Sequence, residues 1–136
     1  MKNLTAFVIT ALLSASAFAS DYTYKCQQRT DRSPIDGKLG KISVTVTHLK
    51  TLLTATEYRG EYYDSVDVVR VVVSATKNGK TSVVKSTTAI ARSEDVMFNI
   101  DSNGIDFHTY FDEMEESGIA LRTNDGKKVD VSLVCE

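Results

Sequence analysis

From Lys41 to Leu49 the chain reads KISVTVTHL. Ile42, Val44 and Val46 alternate there with Ser43, Thr45 and Thr47. A helix repeats every 3.6 residues, so apolar residues at every second position cannot line one of its faces. They do line one face of a strand, whose side chains alternate sides. The same period recurs along the chain. DYTYKCQ places Tyr22, Tyr24 and Cys26 on one side, and VDVSLVC places Val129, Val131, Leu133 and Cys135 on one side. SVDVVRVVVSAT is rich in β-branched residues, which lose little by being extended. Its alternation slips near Val68-Val69, so a bulge or a strand buried on both faces is expected there.

Turn signals divide these runs. Asn78-Gly79 and Asn103-Gly104 both suit a type I′ turn, which needs positive φ at both central residues. In NIDSNGIDFH, a two-residue Asn103-Gly104 turn pairs Ile100 with Phe107 and Phe98 with Thr109. It also sets Asp101 directly against Asp106, a like-charge pair costing up to about 1 kcal/mol. In RTNDGKK, a three-residue loop with Gly126 in the left-handed position pairs Leu121 with Val129 and Ile119 with Val131. RSPIDGKLGK, with the only proline, Pro34, reads as a looser connection. Leu52, Leu53, Tyr58, Tyr62 and Tyr63 either cover one end of a barrel or form strands around a turn at Gly60. The one helix candidate is YFDEMEESG, ending at Gly118. The expected fold is all-β: one antiparallel sandwich or small barrel of roughly seven to nine strands, with at most one short helix.

The chain opens MKNLTAFVITALLSASAFASDY. Lys2 precedes an apolar run from Leu4 to Leu13, and Ala17-Phe18-Ala19 supplies the small residues a signal peptidase reads. Residues 1–19 therefore read as a secretory signal peptide, and 20–136 as a single β domain. The short n-region favours the bacterial periplasm. The apolar run is too short to span a bilayer comfortably, and no later run is apolar enough. Removing Lys2 with the leader takes the formal charge from −2 to −3. That mild acidity argues against nucleic acid and anionic membranes as partners. In an oxidising compartment Cys26 and Cys135 are expected to form one disulfide tying the ends of the domain together. Two thiols alone make a poor zinc site.

Chemistry-bearing residues are sparse. His48 continues the inward alternation of Ile42, Val44 and Val46, so it reads as a partly buried, satisfied histidine. His108 shares a strand face with Asp106, Tyr110 and Asp112, where a carboxylate could orient its imidazole. No serine sits in a Gly-x-Ser-x-Gly elbow, so a catalytic partner is missing. Asp101, Asn103 and Asp106 offer oxygen ligands, but Ile105 stands where a calcium loop needs an acidic ligand and Asp112 where it needs a glutamate. No cofactor or metal is implied. Asp112, Glu113, Glu115 and Glu116 form the densest charge run, which reads as solvated surface or an acidic patch. Tyr58, Arg59, Tyr62 and Tyr63 offer an aromatic, hydrogen-bonding surface of the kind found at interfaces.

With YKC near the start and a cysteine near the end, the layout resembles that of small periplasmic β-barrel lysozyme inhibitors. In those the two cysteines would be joined. No matching inhibitory loop motif accompanies the layout. The expectation is an exported, non-enzymatic binding module, inhibitor-like, with a protein partner in the cell envelope. Its candidate binding residues are Tyr58, Arg59, Tyr62, Tyr63, Asp106, His108, Tyr110 and Asp112. The alternative is a small hydrolase using His108 with Asp106 or Asp112.

Overall fold

A computed structural model describes residues 22–31, 38–94, 97–110, 117–122, 126 and 128–136. Residues 1–21, Pro34, and residues 111–116 of the helix candidate, Asp112 among them, lie outside the described set, while the candidate's ends, Tyr110, Ser117 and Gly118, belong to strands.

Eight strands follow one another in chain order: β1 (Thr23–Gln28), β2 (Lys41–Tyr58), β3 (Glu61–Lys77), β4 (Lys80–Ser93), β5 (Met97–Ser102), β6 (Ile105–Tyr110), β7 (Ser117–Arg122) and β8 (Lys128–Cys135). Each pairs antiparallel with the next, and β1 pairs with β8, giving a closed barrel. Among the described residues no helix is long and apolar enough to cross a membrane.

The expected turns fix the register. Asn78 and Gly79 have φ of 53° and 75°, and Asn103 and Gly104 have φ of 55° and 75°, as a type I′ turn requires. The second turn pairs Ile100 with Phe107, Phe98 with Thr109 and Asp101 with Asp106. Leu121 pairs with Val129 and Ile119 with Val131. At the slip near Val68-Val69, β3 is buried on both faces, with Val66 and Val69 on opposite sides. β2 carries two extra residues, Leu49 and Leu52, against an uninterrupted β3. The alternation of β3 therefore stays regular while β2 kinks.

An eight-stranded barrel is just wide enough for inward side chains to fill it. Ile42, Val44, Val46, Val69, Val71, Val73, Ile100, Ile105, Ile119, Leu121 and Leu133 do so, with Phe98 and Phe107 completely buried. The two phenylalanine rings meet edge to face at 6.2 Å, and Tyr22 and Tyr24 pack on Phe98 at 5.5 and 5.0 Å. Gln28 is buried among them, and its Oε1 accepts the Ile42 backbone N–H at 3.0 Å. Among the described residues these inward side chains form one continuous apolar core.

The closing seam is thin. β1 and β8 share three register pairs, Cys26 with Cys135, Gln27 with Val134 and Gln28 with Leu133. The disulfide joins the first of these pairs, Cys26 to Cys135, across 109 residues of chain.

β2 and β3 outrun their neighbours. β1 follows β2 only to Thr47, and β4 follows β3 only to Ser65. The distal hairpin extends four β3 residues past β4, roughly 13 Å at strand rise, and farther past β1. Arg59 and Gly60 close it with φ of 53° and 83°. The stretch from Leu49 to Asp64 thus forms strands around Gly60, a two-stranded arm standing off the barrel.

Candidate functional site

Large exposed apolar side chains gather on this arm. Leu49, Leu52, Leu53 and Tyr62 are 44%, 45%, 44% and 64% exposed, and only Val83 and Val134 join them from the rest of the described surface. Concentration of this kind marks a recognition surface more than scattered exposure does. Arg59 and Tyr62 face solvent at its tip. Tyr63 does not. It is 2% exposed, its hydroxyl donates to Glu61 at 2.5 Å, and Arg92 lies 5.5 Å above its ring. The hydrogen bond to Glu61 and burial raise its phenol above the ordinary value. Tyr63 is therefore a structural anchor of the arm, where the sequence had grouped it with the exposed aromatics. The Tyr58 side chain lies outside the described set.

Asp106, His108 and Tyr110 share the outer face of β6, and the Tyr110 ring meets His108 edge-on at 5.7 Å. His108 lies opposite Gly118 and Asp106 opposite Ala120; across β7, Ser132 and Asp130 face the same two residues. Small residues on the middle strand between longer ones leave a groove of about 470 Å³. Asp106 and His108 form one wall, Asp130 and Ser132 the other. A Cβ at position 118 would come within 3.2 Å of His108 Cε1, so glycine lets the imidazole lie over the groove floor. Among the described residues no hydroxyl or thiol is hydrogen-bonded to His108, so the arrangement offers no activated nucleophile. Asn103 directs its Nδ2 to the Thr88 carbonyl oxygen, which ties the turn to β4.

These two regions do not meet. β2 and β3 stand four positions around the eight-stranded ring from β6 and β7, on opposite sides of the barrel. The described candidate residues are thus divided: Arg59 and Tyr62 on the arm, and Asp106, His108 and Tyr110 on the outer face of β6.

A third cluster escaped the sequence reading. Tyr22, His48, Thr51, Ser65 and Asp67 converge where the arm leaves the barrel. Asp67 is 1% exposed; Tyr22 donates to its Oδ2 at 2.7 Å and Ser65 at 3.1 Å. Its Oδ1 has no hydrogen-bond partner and lies 3.7 Å from His48 Nε2. Thr51 Oγ1 sits 2.9 Å from that same nitrogen. A hydrolytic relay needs its carboxylate on one imidazole nitrogen and its hydroxyl on the other. Here both approach Nε2, so the geometry is that of a buried polar network. Burial, then the bond to Asp67 and its charge, hold the Tyr22 phenol far above its ordinary value. Tyr22 therefore stays a donor. The available signal was Asp67 itself, a carboxylate inside an otherwise apolar strand, two residues from Val69 on the inward face.

Comparison with protein-family models, with curated proteins and with solved structures gave no match.

Proposed function

We propose that this chain is an exported, non-enzymatic module that binds a protein partner of the cell envelope, with the β2–β3 arm as its docking element. The observation that carries the reading is the contrast between a filled barrel and an exposed arm. A carrier of small molecules needs a cavity, commonly of about 300–1,000 Å³ and largely apolar. Here the inward positions are occupied by their own side chains, and recognition falls to the outside. Four of the six large exposed apolar residues sit on one projecting hairpin. A rigid hairpin presenting leucines and a tyrosine suits insertion into a partner's cleft, the inhibitor-like mode. The terminal disulfide fits an oxidising compartment, in keeping with the signal-peptide pattern of residues 1–19.

The test is capture from the native envelope by the immobilised domain. The parent should retain a stoichiometric partner, and Leu52→Ser/Leu53→Ser and Tyr62→Ala should each lose it without a change in melting temperature. Retention by all three proteins alike would reject the arm. A turnover that disappears in His108→Ala would instead establish an enzyme.

A further inference from the structure

We infer that the outer face of the arm recognises a second copy of this chain, forming a two-fold dimer. The inference rests on the reading of the arm as a docking element. It follows from how charge is laid out along that face.

β3 runs without interruption past the two bulges of β2, so its even-numbered residues all point to one side. Lys50 lies opposite Val68, Leu53 opposite Val66 and Glu57 opposite Tyr62. Lys50, Leu53 and Glu57 therefore share the face of Tyr62, Asp64, Val66, Val68 and Arg70. The extra residue Leu52 is what brings Leu53 onto this side; without it, Leu53 would turn to the face of Thr51.

Read from the barrel to the tip, this face is basic, then apolar, then acidic. Arg70 and Lys50 stand at the base, Leu53 and Arg92 on either side of the buried Val66 in the middle, and Asp64 and Glu57 toward the tip, with Tyr62 beside Glu57 and Arg59 beyond them in the turn. Arg70, Lys50, Asp64 and Glu57 are all exposed. Glu57 and Asp64 also have contacts within their own chain, and the pairing does not require them to be free. The spacing is symmetric about Leu53. On the β3 ladder, Arg70 and the Tyr62–Glu57 rung lie equally far from it, as do the Lys50 rung and Asp64. A second arm laid face to face and antiparallel, with the two-fold axis at Leu53, sets each basic end against the other copy's acidic end. Lys50 then lies one strand across from Asp64 of the other copy and Arg70 one strand across from Glu57, offsets of about 5 Å that the long basic side chains can reach, and Leu53 packs on Leu53. A parallel arrangement would oppose like charges at both ends.

The other open edge of the sheet lacks this property. Distal β4, from Lys80 to Thr88, has no β5 partner in the ladder, and its charges are Lys80 and Lys85 only. Two copies there would repel, which is a usual guard against edge pairing.

The experiment is sedimentation velocity on the intact domain across a concentration series. The parent should dimerise. Glu57→Lys/Asp64→Lys, with basic residues at both ends of the face, and Lys50→Glu/Arg70→Glu, with acidic residues at both ends, should each weaken the dimer about tenfold or more through like-charge opposition. Mixed together, the two variants should form a heterodimer, because the surviving charges are complementary. Leu53→Ser should weaken the dimer without altering charge. All four side chains changed for charge are exposed, so circular dichroism and melting curves should match the parent. A monomeric parent at every concentration overturns the inference. So does a dimer indifferent to the reversals, or a mixture that stays monomeric. A monomeric parent that still captures an envelope protein through Leu53 and Tyr62 removes self-association and leaves the proposed function standing.

Discussion

The Cys26–Cys135 bridge closes a loop of 109 residues, and its removal should cost more than any single side-chain change. In the chain-entropy description, a loop of this size lowers the entropy of the unfolded chain by about 16 cal/mol/K, or about 4.8 kcal/mol at 25 °C. Without the bridge, the β1–β8 seam would be held by three register pairs and the flanking backbone hydrogen bonds of Lys25 with Glu136 and of Arg29 with Ser132. Domains of this size are stable by about 5–15 kcal/mol, so the bridge supplies a third or more of the total. Cys26→Ala/Cys135→Ala should therefore unfold at markedly lower urea, with a loss of about 4–5 kcal/mol and a larger m-value, because the unlinked chain exposes more surface. At about 4 °C per kcal/mol, its melting temperature should fall by about 15–20 °C. Urea titration followed by circular dichroism, with and without reductant, measures both. A loss below about 1 kcal/mol, or a parent indifferent to reductant, would refute the claim that the seam depends on the bridge.

Other outcomes follow from single contacts. Phe107 is fully buried, and Phe107→Ala should cost about 3–5 kcal/mol through the cavity it leaves, read by urea denaturation. Asp106→Asn relieves the direct opposition to Asp101 and should stabilise the hairpin by up to about 1 kcal/mol; destabilisation would mean that the carboxylate has a favourable partner. Tyr22 is held neutral in the fold, so its contribution is complete below about pH 10, where the unfolded phenol begins to ionise, and is lost as pH rises above it. Alkaline unfolding should begin later in Tyr22→Phe than in the parent, provided the two are compared relative to their own neutral-pH stabilities. Calcium should leave the melting temperature unchanged, since no group of three or more carboxylate, imidazole or thiol ligands converges among the described residues.

Much of the barrel was legible because its signals are local. Alternation in β2 and β8 assigned the inward faces, and Asn-Gly pairs fixed both the turn type and the register of two hairpins. An even-length loop was needed to put Phe98, Ile100 and Phe107 on one face. A four-residue loop would also have met that need, and the Asn103-Gly104 turn chemistry selected the two-residue register that pairs Ile100 with Phe107 despite Asp101 against Asp106. Sandwich against barrel was not legible, because closure depends on whether β1 and β8 meet, a contact between chain ends. The slip near Val68-Val69 was visible, and both expectations for it meet there: β3 is buried on both faces, at Val66 and Val69, and β2 carries the extra residue Leu49 opposite. Asp106, His108 and Tyr110 were placed together correctly by period two. Their separation from Tyr62 was not, because distance around a barrel is a property of strand count. The His48–Asp67 pair was missed for the same reason: the two residues face one another only after β2 and β3 are in register.

The measurement that bears most directly on the proposed role is capture of an envelope partner by the immobilised domain, compared with Leu52→Ser/Leu53→Ser and with His108→Ala. The account predicts a stoichiometric partner retained by the parent and by His108→Ala, and lost when the arm leucines are changed. Equal capture by the arm variant and the parent would contradict it, as would a parent turnover abolished in His108→Ala.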